Sequence, residues 1–286
     1  MMAPAVIVIA VLIIYPILEG IRLSLFNYNL MSRNRPFIGL GNFTALIQDA
    51  RFLGIVWNTI LFAAISNGVS TIIGLAAALL LNKAGKFTGM LRALGYLPWI
   101  TPAVVFVYIW SWAMSRSFSP FNPILMSLGV ISSPLSFLGD TSIGFLGLSL
   151  PVWSMLFVRI WASYPFKMTM LLAALQSIPT ERYDAARVDG ANVLQQFRHI
   201  VVPGIMPVLL IVISISTIWN LSHFEVNYLL TGGGPGDTTS VMPIFIYNRA
   251  FVHYRMGLAS AAGLYIFVLA GIVGVIYMWF VRGEDR

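Results

Sequence analysis

The chain has 286 residues, 58% of them hydrophobic and only 9% charged, with a formal net charge of +7. A soluble domain carries about 25% charged residues, so this composition excludes a soluble globular protein and points to an integral membrane protein. With no cysteine and with His199, His223 and His253 at no ligand spacing, neither a disulfide nor a metal site is predicted; no basic-aromatic cluster suggests nucleic acid.

A spanning helix needs about 20 mostly apolar residues, and six candidate runs occur. The first, about 2–26, ends near Glu19 and Arg22. It lacks the basic lead and cleavage site of a signal peptide, so it is expected to be a retained first helix whose short polar lead is missing or never existed. The second, about 56–81, contains Asn58, Ser66, Asn67, Ser70 and Thr71, which suit hydrogen bonds between helices better than substrate contact. The basic loop 82–92 holds Lys83, Lys86 and Arg92 and no acid, which places it in the cytoplasm.

The third helix, about 93–114, must kink or break at Pro98 and Pro102. A Ser-, Pro- and Gly-rich connection, 115–142, is expected outside. The fourth helix, about 143–166, should bend at Tyr164-Pro165 and continue as 168–178. It carries Arg159 at membrane depth, where an ionisable residue faces an aqueous path or a partner, or else snorkels to an interface. The fifth and sixth helices are about 207–221 and 257–281, with the glycine-rich stretch 223–240 between them outside. The prediction is one all-α, polytopic transmembrane domain over 1–286, with both termini in the cytoplasm.

The polar stretch 178–207 stands apart. Pro179 suits a first helical position, Glu181 favours a helix N-terminus, and Tyr183, Ala186 and Val188 can share an apolar face. Asp189-Gly190 is a turn pair, and Asn192 with Gln195 has the spacing of a capping box. Leu194, Phe197 and Val201 repeat at helical spacing, and Pro203 should close this second helix. Spacing alone leaves two readings: a piece that docks in a partner's groove, or an ordinary solvated loop.

No P-loop, HExxH or GxSxG occurs, so no catalytic residue is predicted and nucleotide hydrolysis needs a partner. The helices hold almost no carboxylate, which argues against an ion-coupled secondary transporter.

YDAARVDGANVLQQFRHIVVP (183–203) resembles the EAA motif of permease subunits of binding-protein-dependent ABC importers. That pattern is Glu-Ala-Ala, three residues, Gly, nine residues, Ile-x-Leu-Pro; here Asp184 replaces Glu and Val202 replaces Leu. FIGLGNF (37–43), WNTILF (57–62), LPWITPAVV (97–105), ALQSIP (174–179), DGAN (189–192) and LLTGGGPGDTT (229–239) look like the carbohydrate branch, similar to maltose and glycerol-3-phosphate permeases.

The resemblance implies a type I importer permease in the bacterial inner membrane, without cofactor of its own. It implies a second permease, two ATPase subunits holding ATP and magnesium, and an extracytoplasmic binding protein. It assigns ATPase coupling to Glu181, Tyr183, Asp184, Ala185, Ala186, Asp189, Gly190, Ala191, Phe197, Ile200 and Pro203. It assigns a sugar pathway to Arg159, Ala162, Ser163, Phe166, Ser216, Trp219, Asn220 and His223. Arg159 and His223 favour an anionic sugar. A polyol or glycerol phosphate is the alternative cargo.

Overall fold

The apolar runs fold as helices because lipid offers backbone amides no partner, and a helix satisfies them within one segment. The computed structural model describes residues 3–83 and 88–284. Lys86 of the expected basic loop, the first two residues and the last two lie outside the described residues.

In chain order, α1 (Ala3–Ile9) and α2 (Tyr15–Ser24) are joined by a π turn, Ala10–Ile14. Then come α3 (Gly41–Gln48), α4 (Ala50–Lys83), α5 (Thr88–Ile100), α6 (Ala103–Ala113) and α7 (Phe121–Ser127). A short antiparallel hairpin, β1 (Gly144–Phe145) and β2 (Leu148–Ser149), pairs Gly144 with Ser149. It precedes α8 (Leu150–Gln176), α9 (Thr180–Val188) and α10 (Val193–Gln196). A π turn, Phe197–Val201, leads into α11 (Val202–Ser222), followed by α12 (Glu225–Thr231), α13 (Met242–Tyr247) and α14 (Met256–Glu284).

Among the described residues, four helical stretches are long and apolar enough to cross a membrane: Val6–Ser24, Ala50–Lys83, Val193–Ser222 and Met256–Tyr277. Helices α5 and α6 make a fifth if taken as one span, and they meet at 91°. The break falls at Thr101-Pro102, where Pro102 cannot donate to a preceding turn. Helix α8 is long enough at 27 residues, about 40 Å. It is not among the apolar set, since its polar side chains, Arg159 and Lys167 above all, dilute it.

Several expectations change. Residues 144–149 form the hairpin rather than the start of a helix, and α4 begins six residues before the expected position 56. Pro165 does not interrupt α8. It is buried among neighbouring side chains, and the Thr169 hydroxyl donates to its carbonyl at 2.8 Å. Pro203 does not close the helix after the polar stretch. The preceding π turn shifts the hydrogen-bond ladder, and proline is tolerated in the first turn of the α-helix that follows. Pro207 is likewise inside α11.

The chain packs as two compact units. The first comprises Met1–Leu61 and Leu221–Ile272. Its core packs Leu46, Phe52 and Ile55 against Met242, Phe245, Leu258, Ala261 and Ala262. Asn42 ties the α2 exit to α3 by donating to the carbonyls of Ser24 (2.8 Å) and Phe26 (2.9 Å). The expected irregular loop after α12 is clamped to the start of α4. Arg51 pairs with Asp237 at 2.5 Å, and Asn58 donates to the Thr238 carbonyl at 3.3 Å. Asn58 thus serves this loop rather than a neighbouring helix.

The second unit comprises Phe62–Asn220 and Val273–Arg286. Its core joins Ala78 and Leu81 of α4, Met168, Leu171, Leu172, Ala174 and Leu175 of α8, Ile178, and Val201 and Ile205. The α4–α8 crossing is close: a Cβ on Gly74 would lie 2.8 Å from Lys167 Cβ and 3.0 Å from the Met168 amide nitrogen. Both candidate functional regions lie on this unit, His223 excepted.

Candidate functional site

The polar stretch folds as two helices around a glycine bend. Helix α9 starts at Thr180, with Pro179 at the position before it in extended backbone and Glu181 in the first turn. Its end is a Schellman motif. Ala191 N–H donates to the Ala186 carbonyl at 2.8 Å, Gly190 N–H donates to Arg187 at 3.1 Å, and Gly190 takes φ +79°. The capping box forms as spaced. Gln195 N–H donates to Asn192 Oδ1 at 2.9 Å, and Asn192 N–H donates to Gln195 Oε1 at 2.7 Å.

The apolar residues of this stretch divide in two. Tyr183, Phe197 and Ile200 pack against the second unit's core, and partial burial pushes the Tyr183 phenol up. Val188, Val193 and Leu194 point away, 88%, 74% and 74% exposed. Val188 and Leu194 therefore do not share a face with Tyr183 and Phe197, as their grouping by spacing suggested. Asp184, Ala185 and Asp189 are also exposed, and Asp184 pairs with Arg187 at 2.9 Å along the helix surface. A concavity of about 320 Å³ lies in the bend, walled by Ala186, Asp189, Gly190, Ala191, Gln195, Gln196, His199 and Ile200. A capped, rigid turn thus presents an apolar tip beside a small hollow. Pro203 lies on the first turn of α11, outside the concavity.

Seven of the eight expected pathway residues lie on α8 and α11 within the second unit. Arg159 is buried, and its guanidinium donates to Asn220 Oδ1. Asn220 Nδ2 in turn donates to the Ser216 carbonyl at 2.7 Å. Phe166 and Trp219 approach with ring centroids 5.1 Å apart, and Trp99 of α5 meets Phe166 edge-on at 5.9 Å. Trp219 is 53% exposed, so one face of this aromatic group is open. Ser216 is buried and its hydroxyl has no partner among the described residues. Ala162 and Ser163 are half-buried on α8, and Ser163 bonds back to the Ile160 carbonyl at 3.3 Å. His223 belongs to the first unit, where its carbonyl accepts from Asn227.

One ionisable residue escaped the sequence reading. Lys167 of α8 is fully buried, and its ammonium contacts Asn67 and Ser70 of α4. Asn67 also reaches α11, donating to the Ile213 carbonyl at 3.1 Å and to Thr217 Oγ1 at 2.6 Å. The signal was present: a lysine directly after the YPF tripeptide, inside an apolar run and eight residues after Arg159. Among the described residues, no carboxylate lies within 4 Å of either cation.

Residues 70–286 match the family described as "Binding-protein-dependent transport system inner membrane component". The chain belongs to this family. It is 33% identical over 281 residues to the trehalose/maltose transport system permease protein MalF of Thermococcus litoralis, covering 97% of this chain and 91% of that protein. It is 30% identical over 289 residues to the sulfoquinovosyl glycerol transport system permease protein SmoG of Agrobacterium fabrum, covering 100% and 90%. The fold matches a bacterial ABC transporter involved in the import of the acidic polysaccharide alginate, with a TM-score of 0.84, 23% identity and coverage of 99% and 94%. This binding-protein-dependent permease is therefore a multi-pass inner-membrane protein with the fold of a type I importer, a transport component rather than an enzyme. The EAA-like stretch falls within the matched residues.

Proposed function

We propose that this permease lines the translocation pathway of an ATP-driven importer for a sugar or oligosaccharide, and that it favours negatively charged ones. The observation that carries the reading is the Arg159 guanidinium, buried on α8, held by Asn220 and with no carboxylate within 4 Å among the described residues, on the same two helices as the Phe166–Trp219 pair. Aromatic faces stack on sugar rings, amide and hydroxyl groups bond their hydroxyls, and a cation receives an acidic group. Two relatives are named for trehalose and maltose and for sulfoquinovosyl glycerol, which supports a sugar cargo.

A second permease completes the pathway, and an extracytoplasmic binding protein delivers the cargo. Two ATPase subunits hold ATP and magnesium, and one of them takes the exposed tip of Val188, Val193 and Leu194 in a groove. Closure of the ATPases moves α9 and α10 as one capped body and shifts a two-state equilibrium between inward and outward access. The coupling bend and both termini then face the cytoplasm, and α8 is the sixth span.

Uptake of acidic and neutral oligosaccharides by the reconstituted importer tests this. Arg159→Ala should cut uptake of the acidic cargo by roughly tenfold or more, as loss of one charge-assisted contact implies. Full uptake of the acidic cargo by that variant overturns the reading.

A further inference from the structure

Lys167 has no place in the pathway just described, yet its hydrogen-bond geometry fits an ammonium. Nζ approaches three atoms: the Asn67 main-chain oxygen at 2.7 Å, Ser70 Oγ at 2.6 Å, and Asn67 Oδ1. Both Asn67 oxygens can only accept. Ser70 Oγ has one proton and donates it to the Ser66 carbonyl, so toward Lys167 it also accepts. Three acceptors around one nitrogen call for three N–H bonds, which an ammonium has and a neutral amine lacks. The Asn67 orientation is fixed independently. Thr217 Oγ1 donates its proton to Ile213 O at 2.8 Å, so it must accept from Asn67 Nδ2, which turns Oδ1 towards the lysine.

These dipoles satisfy the ammonium's protons but leave its charge unbalanced. A cation buried at membrane depth is costly unless paired. Two such cations share α8, eight residues or about 12 Å of helix rise apart, with no carboxylate within 4 Å of either among the described residues. The neighbouring buried positions hold Met168, Leu171 and Leu172, so the site itself would accommodate an uncharged side chain.

We propose that Lys167 is a specificity-determining residue. It is a fixed ammonium one layer behind the pathway face of α8, whose field adds to that of Arg159 and selects anionic cargo. The cargo carries the missing counter-charge. This rests on the anionic-sugar reading and deepens it: Arg159 contacts the acidic group, whereas Lys167, sealed from the pathway, acts at a distance. A unit charge held at the level of Arg159, about 12 Å away, gains about 1.4 kcal/mol at an effective dielectric constant of about 20, a factor of about ten in preference.

The test uses the complete importer in proteoliposomes and two cargoes of equal length, a uronate oligosaccharide and its carboxyl-reduced counterpart. The readout is the ratio of their kcat/KM values. Lys167→Gln removes the charge and keeps two donors. Asn67→Asp keeps the lysine and sets a carboxylate against it. The acid-to-neutral ratio should fall about tenfold in both and be retained in Lys167→Arg. A merely structural role lowers both cargoes in parallel and leaves the ratio unchanged, and that result overturns the inference. If Lys167→Gln fails to assemble, Asn67→Asp decides the question with the lysine in place. A wild-type importer with no preference for the acid overturns the proposed cargo class itself, before any variant is compared.

Discussion

Gly190 takes φ +79° at the end of α9, and nothing lies within 4 Å of the Cβ that another residue would place there. A substitution therefore measures the backbone requirement alone, free of any clash. An L-residue in this left-handed region costs about 1–2 kcal/mol, which is the expectation for Gly190→Ala. Gly190→Pro goes further. Proline holds φ near −65° and removes the N–H that donates to Arg187 at 3.1 Å, adding about 1 kcal/mol for the lost bond. Together these are at least about 2–3 kcal/mol, a fall of roughly 30- to 150-fold in the population of the native bend. The assay is ATP-driven uptake in proteoliposomes, read beside the ATPase rate and the amount of chain inserted. Gly190→Pro should insert normally and lose uptake, with Gly190→Ala intermediate. ATP-driven uptake at the wild-type rate in Gly190→Pro would refute both the need for this bend and its docking role.

Leu194→Asp places a charge on the exposed apolar tip and should reduce co-purification of the ATPases. Its effect on the chain's own unfolding should stay within about 0.5 kcal/mol, as for other surface changes. Undiminished co-purification would move the docking surface elsewhere. Gly74→Ala brings a methyl to 2.8 Å from Lys167 Cβ and 3.0 Å from the Met168 amide nitrogen, so the helices must part. It should destabilise the detergent-solubilised chain by about 1–3 kcal/mol, and an unchanged Tm would contradict the close crossing of α4 and α8.

The coupling stretch was legible because its signals are local. The Asp189-Gly190 turn and the Asn192–Gln195 box act within three to five residues, and both form as their spacing predicts. The facing of its apolar residues was less legible. Val188 is grouped with Tyr183 and Ala186 as an apolar face, but it follows Tyr183 by five residues, which on a helix of about 3.6 residues per turn points it elsewhere, and it is exposed with Leu194. The prolines divide by context. Pro102 marks a sharp break, while Pro165, Pro203 and Pro207 sit inside helices whose neighbours or π turns absorb the missing hydrogen bond. Local propensity has no term for those neighbours.

By itself the sequence determined a membrane protein, its EAA-like bend and the helices that carry Arg159 and Trp219, because composition, spacing and turn chemistry are properties of short segments. Only the tertiary structure decided which polar groups meet. Asn67 is 100 residues from Lys167 and 150 from Thr217. Their convergence depends on α4 lying close enough to α8, at Gly74, for a lysine to reach across the interface. That crossing turns an ordinary lysine in an apolar run into a buried, fully hydrogen-bonded cation. A local pattern marks the lysine in its apolar run but not its acceptors, because those come from a different helix.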